Sequence, residues 1–496
     1  MSQRPPSPSL LRPARRARWL VAVLALALWA GAQASMVAAD LAAPLLSFAP
    51  VVKQVAPSVV TIFTSKTVKH QATQLPHGFD DPSMRRYFGI DPQAGGGGGG
   101  GAGQERDLKE QGLGSGVIVS ADGIILTNNH VVAEADELKV ALSSGNEQYE
   151  AKVIGTDPKT DIAVLRISVG HPLPAITLGD SAKAEVGDLV LAIGNPFNIG
   201  QTVTMGIISA RGRGVGLADY EDFLQTDASI NPGNSGGALV DASGKLIGIN
   251  TAILSPSGGN LGIGFAVPIN LARNVMESLV AKGKVVRGFL GLKIQPVTAD
   301  IAKAFSLPSE DGALVGDVVV DGPSAKAGIK SGDVVTAFNS IHIGDARQLR
   351  LLASQTTPGT TVALNVMRDG KPLNVSVTLQ ELSLAKGEPA DHDGSAHAHQ
   401  AGRARLGVAL SDLDVPAREH FAVPGQIQGA LITEVVPGSR AENAGLKPGE
   451  VIMEVNRKPV ASASEAVAAI GESEGTVVLR MWTKEGILFM VVHAPK

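Results

Sequence analysis

At 496 residues the chain exceeds one ordinary core, and roughly 100–200 residues per domain implies about three domains. Its 43 basic and 47 acidic residues leave a net charge of -4, which gives no global field for nucleic acid or an anionic membrane. Cysteine is absent, so no disulfide braces the fold and the cores must hold it alone. The chain opens with Arg4, Arg12, Arg15, Arg16 and Arg18, then an apolar run over 19–32, then Ala32-Gln33-Ala34. This is the three-part layout of an export signal cleaved after Ala34, with Val37-Ala38-Ala39 as a second small-residue site. The alternative is an uncleaved anchor, but the run is short against the about 20 apolar residues needed to span a bilayer. Arg15-Arg16 matches a twin-arginine signal only weakly.

A first strand is predicted over Val55-Ala56-Pro57-Ser58-Val59-Val60-Thr61-Ile62-Phe63, entered through a proline turn. Periodicity is then lost from Lys66 to Gln111, a segment with unbroken glycine over 95–101. Such a tract has high backbone entropy and nothing to bury, so it reads as a mobile surface loop. No strand precedes it and no Lys-Ser/Thr follows it, which excludes a phosphate-binding loop. From Gly114 to about Val267 short β-branched runs alternate with Gly, Asp, Asn and Pro turns, the pattern of a sandwich or barrel. A helix with apolar residues at a period near 3.6 is predicted from Asn270 to Val280, after Pro268.

The remainder contains an internal repeat. Ala327-Gly328-Ile329-Lys330-Ser331-Gly332-Asp333 returns as Ala444-Gly445-Leu446-Lys447-Pro448-Gly449-Glu450, an offset of 445 − 328 = 117. Leu290-Gly291-Leu292 returns as Leu406-Gly407-Val408, an offset of 407 − 291 = 116. The period suits a small duplicated domain rather than a solenoid. Between the copies, 381–403 is polar and aperiodic and reads as a linker. Its His392, His397 and His399 have only Asp391 and Asp393 as nearby oxygen ligands, so no metal site is expected there.

The chemistry centres on Gly233-Asn234-Ser235-Gly236-Gly237 ahead of an apolar strand. A serine on such a turn can sit among converging backbone N–H groups, a space suited to an oxyanion. Serine needs a base and an orienting carboxylate, and His130 and Asp161 each follow a predicted strand in the same β region. Alone, His130 reads as a strand-end histidine, Asp161 as a turn aspartate and Ser235 as a small turn residue. Together, in the order His, Asp, Ser, they match the arrangement used on double β-barrels.

Thr127-Asn128-Asn129-His130-Val131-Val132, Asp161-Ile162-Ala163-Val164-Leu165, Ala192-Ile193-Gly194-Asn195-Pro196, Asn231-Pro232-Gly233-Asn234-Ser235-Gly236-Gly237-Ala238-Leu239 and Gly248-Ile249-Asn250-Thr251 resemble the HtrA/Deg family of serine endoproteases. The duplicated tail resembles its two PDZ domains, in the layout of the periplasmic DegP and DegQ members. The resemblance implies a mainly β fold: a chymotrypsin-like double six-stranded β-barrel protease domain over 41–284, with 66–111 as its flexible glycine-rich loop, followed by two PDZ domains. These would span 287–382 and 403–496 with a linker over 383–402, after a signal peptide over 1–34. It implies Ser235 as nucleophile, His130 as base, Asp161 as its orienter, and the N–H groups of Gly233 and Ser235 as oxyanion hole. Ser229, six residues before the nucleophile, replaces the aspartate of a trypsin-like pocket, so Lys/Arg cleavage is disfavoured. By similarity Ile253 and Ile263 wall the S1 pocket and suit Val, Ile or Ala at P1; the competing reading makes them barrel core.

Phe289, Leu290, Gly291 and Leu292, and in the second copy Leu406, Gly407 and Val408, resemble the loop that holds a peptide carboxylate; a leucine-glycine pair could equally be a plain strand start. Arg405 before the second loop points to assembly as its role. The implied protein is an exported, ATP-independent, periplasmic protease of unfolded or damaged proteins, with no cofactor and no metal. Its implied partners are unfolded proteins and peptide C-termini, a homotrimer and larger homo-oligomers, and peripheral membrane contact, with no nucleic acid. The alternative from another class is a holdase chaperone or peptide-binding scaffold with minor or conditional proteolysis.

Overall fold

A computed structural model describes residues 47–68, 108–143, 147–195, 200–231, 233–253, 260–382, 403–404, 406–473 and 475–493. The export-signal segment, the glycine tract and the three linker histidines lie outside the described residues. The N-terminal unit, which ends at Val55, holds a helix over Ala49–Val55. The strand predicted from Val55 therefore begins later: a 3-10 turn over Ala56–Ser58 comes first and β1 starts at Val59. A short apolar run does not by itself distinguish helix from strand. No described helix is long and apolar enough to cross a membrane.

The first barrel is built from β1 (Val59–Val68), β2 (Leu108–Ile118), β3 (Ile124–Asn128), β4 (Glu137–Ala141), β5 (Gln148–Glu150), β6 (Lys152–Asp157) and β7 (Ile162–Arg166). Their order is β5-β4-β1-β2-β3-β7-β6. Only Ala151 separates β5 from β6, and its N–H bonds Leu138 O at 3.0 Å. Counted as one strand bent at Ala151, β5 and β6 pair with β4 on one side and β7 on the other, and the sheet closes with the expected six strands. The β1–β2 ladder continues to Val68 opposite Leu108. The ends of the segment expected to be loop, 66–68 and 108–111, are thus strand, because backbone pairing does not need the alternation that the sequence lacks there.

β8 (Leu189–Gly194), β9 (Thr202–Arg213), β10 (Phe223–Thr226), β11 (Ala238–Asp241), β12 (Leu246–Ile253) and β13 (Gly264–Pro268) form a closed barrel in the order β10-β13-β12-β11-β8-β9. Each barrel has its own apolar interior, Val60, Ile62, Ile125 and Leu165 in the first, Val190, Ile208, Leu239 and Ala266 in the second. The helix Ile269–Lys282 packs on β6 and β7 of one and β12 and β13 of the other. It ends at Gly283, whose φ of +67° is the left-handed stop expected of glycine.

The first repeat comprises β14 (Gly288–Phe289), β15 (Leu292–Pro296), β16 (Ala313–Val318), β17 (Val334–Phe338), β18 (Ile341–His342), β19 (Thr361–Arg368), β20 (Lys371–Thr378) and β21 (Gln380–Glu381). Its main sheet runs β15-β16-β17-β19-β20, with β18 on β17, and β14 pairs β21. The second repeat comprises β22 (Arg403–Ala404), β23 (Val408–Asp412), β24 (Ala430–Val435), β25 (Val451–Val455), β26 (Lys458–Pro459), β27 (Val477–Thr483) and β28 (Gly486–Val492), in the order β22-β23-β24-β25-β27-β28 with β26 on β25. The helices Ala346–Gln355 and Ala463–Gly471 stand 463 − 346 = 117 residues apart, the offset read from the sequence. Asp345 and Ser462 cap them by accepting the N–H of Gln348 and Glu465.

Candidate active site

His130 lies in one helical turn, Asn129–Val132, that continues β3, and Asp161 ends the turn before β7. Asp161 has φ +57°, a left-handed conformation that aspartate tolerates better than most side chains. Its carboxylate lies against the histidine: Oδ2 stands 2.7 Å from His130 Nδ1, and Oδ1 accepts the His130 backbone N–H at 3.0 Å. The Asp161 carbonyl accepts the Asn129 N–H at 3.1 Å and Asn128 Nδ2 at 3.0 Å. With Nδ1–H donated to the carboxylate, the ring lone pair lies on Nε2, the arrangement a general base requires.

Ser235 comes from the second barrel. In its loop the Asn234 N–H bonds Asn231 O at 3.0 Å, the Gly237 N–H bonds Asn234 O at 2.9 Å and the Gly236 N–H bonds Asn250 O at 2.8 Å. Asn250, on β12, also bonds Gly237 O through its own N–H at 2.9 Å and Ala238 O through Nδ2 at 3.0 Å. Among the described residues, the N–H groups of Gly233 and Ser235 have no acceptor. The two donors left over are the pair named from the sequence.

The loops of the two barrels are pinned to each other. Ser115, on β2, donates Oγ–H to Gly233 O at 2.6 Å and its N–H to Ser235 O at 2.8 Å, while its Oγ accepts the Asn195 N–H at 2.9 Å. Gly236 has φ +81°, and a Cβ there would stand 2.1 Å from Ser115 O and 2.3 Å from Thr127 Oγ1, so glycine is required. Thr127 is three residues from His130, and the next residue, Asn128, reaches Thr251 Oγ1 at 3.0 Å. Asn250 and Thr251 stand in a motif quoted from the sequence but carry no task there, and Ser115 lies outside the motifs quoted from the sequence. Nothing local links Ser115 to a loop that lies 118 residues further on.

Ile253 and Ile263 are both half-buried, and Ile253 pairs with Gly264, next to Ile263. Ile253 also packs on the second-barrel core, the role the competing reading gives it. A Cβ on Gly264 would stand 3.0 Å from Ile230 Cδ1, and Ile230 itself is fully buried in the second-barrel core.

In the first repeat Leu290 is buried, Gly291 has φ +73°, and Phe289 and Leu292 sit on the flanking strands β14 and β15. In the second, Leu406, Gly407 (φ +87°) and Val408 make the corresponding turn, but β22 pairs with β23, Arg403 opposite Ala409 and Ala404 opposite Val408. The edge expected to receive a peptide there carries the chain's own backbone. A turn motif fixes the turn and not what lies on the next strand.

The two-barrel region meets the first repeat through ions that sequence reasoning missed. Arg287, directly before β14, pairs with Asp157, both buried, and stacks over Tyr220 at 4.6 Å. Asp157 also accepts Thr160 Oγ1 at 2.5 Å, one residue before Asp161. Arg347, on the helix beside the first repeat's cleft, bonds Asp222 Oδ1 at 2.8 Å and Glu221 O at 3.0 Å. Burial pushes the Asp222 carboxyl above the usual range, against the pull of Arg347. Buried Glu221 gathers the backbone N–H groups of Val215, Gly216, Leu217 and Ala218 and so shapes that loop.

Comparison with known proteins agrees with this layout. Residues 114–249 match the family model of a trypsin-like peptidase domain, and 288–379 and 396–482 each match a PDZ domain. The chain is 42% identical over 445 residues to the periplasmic pH-dependent serine endoprotease DegQ of Escherichia coli (strain K12), covering 88% of this chain and 90% of that one. It is 39% identical over 452 residues to a probable periplasmic serine endoprotease, DegP-like, of Brucella suis biovar 1, covering 87% of this chain and 85% of that one. Among solved structures, the HtrA-type protease AlgW with decapeptide matches with a TM-score of 0.54 at 45% identity, over 68% of this chain and all of that one.

Proposed function

The chain belongs to the HtrA/Deg family of serine endoproteases with two PDZ domains, and on that premise we propose that Ser235, His130 and Asp161 carry out its peptide-bond hydrolysis. Ser235 Oγ attacks the scissile carbonyl as His130 Nε2 takes its proton, and the same proton then goes to the leaving amine. The Gly233 and Ser235 N–H groups receive the oxyanion, and loss of one such donor typically costs about 10²–10³ in turnover. Water then attacks the acyl-enzyme, with His130 again as base. The observation that carries the reading is the two-point attachment of the Asp161 carboxylate to His130, at 2.7 and 3.0 Å.

Ile253 and Ile263 would favour Val, Ile or Ala before the cleaved bond. A protein terminus would enter the first PDZ domain, with its carboxylate on the backbone of Phe289, Leu290, Gly291 and Leu292. Relatives named as periplasmic support a periplasmic location; removal of the first 34 residues on export belongs to the proposal, as does a homotrimeric working unit, which rests on family likeness alone. Unfolded or damaged proteins are the proposed substrates. A fluorophosphonate probe tests the assembled site: it should label Ser235 in the full chain and fail in Ser235→Ala, with His130→Ala strongly slowed. Labelling that His130→Ala leaves at the original rate would contradict the assignment.

A further inference from the structure

The cleft of the first PDZ domain is not built by that domain alone. It encloses about 530 Å3 between Leu290 and Leu292 on one side and Leu349 and Ala353 of the helix on the other, and residues 485–488 of the second domain's β27–β28 hairpin also line it. β15 is an edge strand, paired with β16 and open toward the cleft. A peptide added there would show alternate side chains to opposite faces, as β15 does. Leu292 and Ile294 turn to the core of the first domain. Lys293 and Gln295 turn the other way.

That other face is covered by the second domain. The Gln295 amide donates to Phe489 O at 2.9 Å and accepts the Phe489 N–H at 2.7 Å. Lys293 leans on the hairpin tip, where a Cβ on Gly486 would stand 3.1 Å from its Nζ. A Cβ on Gly316, in β16, would stand 2.5 Å from Ile487 O, so only glycine permits the contact. Arg480 joins Asp317 at 3.2 Å to Glu454 at 2.8 Å, and the Phe305 and Phe489 rings meet edge to face at 5.2 Å. The hairpin is therefore held as a fixed wall beside the face on which every second peptide side chain would emerge.

We propose that the second PDZ domain's hairpin completes the ligand site of the first and that the outer face so formed, through Lys293 and Glu485, reads the penultimate and fourth-from-last side chains of a bound C-terminal peptide. This rests on the reading of the cleft as a site for peptide termini. Lys293 sits on β15 itself, as a cross-strand neighbour of those positions, and Arg350 adds a second cation to the lining; Glu485 is the one carboxylate among the described lining residues. The site selects an acidic side chain there, and Glu485 limits the selection.

The test uses the full chain carrying Ser235→Ala and fluorescent octapeptides ending in a free Val carboxylate, identical except for Glu or Lys at the penultimate position. The Glu peptide should bind about threefold more tightly. Lys293→Glu should reverse that ratio, and Glu485→Lys, in the other domain, should widen it, both with the preference for the last residue unchanged. Equal binding of the two peptides, or a ratio indifferent to Glu485→Lys, overturns the inference while leaving the cleft as a peptide site. No binding, or equal binding of a peptide with an amidated end, overturns the underlying reading as well.

Discussion

The two PDZ domains share a plan and differ at the edge a ligand would use. In the first, β14 runs away to β21, Gly288 opposite Glu381 and Phe289 opposite Gln380, and the β15 edge stays open. In the second, β22 folds back on β23 and covers the equivalent edge. The Leu-Gly turns match, with φ of +73° at Gly291 and +87° at Gly407, yet the strand edges beside them are not equivalent. A second difference lies at the repeated acidic position. Asp333 is buried and held by Arg368 at 2.7 Å, a pairing that also raises the Arg368 pKa. Glu450 is half-buried and has no arginine partner among the described residues; burial chiefly, with Glu485 adding, lifts its carboxyl above the usual range against the Lys447 contacts.

The largest expected effect comes from the junction that the first domain makes through a buried ion pair. Arg287→Ala strands the Asp157 carboxylate, and breaking such a pair costs about 3–5 kcal/mol. Thermal unfolding should show the protease transition falling by several degrees, with the second PDZ domain unmoved; a joint shift would mean that the two domains unfold as one.

The next effect sharpens the contrast between the turns. Gly291→Val places a β-branched side chain at positive φ, with its Cβ 3.0 Å from Pro323 Cδ, and should weaken a free-carboxylate peptide more than tenfold, about 1.4 kcal/mol or more. Gly407→Val meets Ser439 Cβ at 2.3 Å and should destabilise its own domain while leaving peptide affinity as it was. With the second domain still folded at the assay temperature, and its hairpin therefore in place, loss of affinity in the second variant would show that the covered edge also takes ligand.

The smallest effect concerns pH. A carboxyl whose folded pKa exceeds its unfolded value binds its proton more tightly when folded, so stability rises as pH falls through the folded value and levels off below the unfolded value of about 4.5. The second domain should therefore melt slightly higher on mild acidification, and Glu450→Gln should raise its melting temperature at neutral pH and flatten that rise. An unchanged slope in the variant would assign it to another group.

What was legible in the sequence follows from the range of each interaction. His130, Asp161 and Ser235 announce themselves because each sits in a short, chemically constrained turn, and the repeat shows in two glycine-centred motifs at one spacing. The roles of Ser115 and Asn250 were not legible, since they act on the serine loop from distant or neighbouring strands through backbone contacts that leave no local pattern. Arg287 and Arg347 carry no local signal in the sequence, since the carboxylates they meet are brought to them only by folding. The self-paired β22 was illegible for a similar reason: the turn motif is the same whether the adjoining edge is open or covered. The first strand was placed four residues too early, at Val55 rather than Val59, because a short apolar run fits either element.

The most direct measurement is hydrolysis of casein, an unfolded and disulfide-free substrate, by the mature chain beside Ser235→Ala, with every cut mapped. Cleavage lost in the variant, and Val, Ile or Ala preceding the cuts, is the result expected. Equal cleavage by both proteins would contradict the assignment of Ser235 as nucleophile.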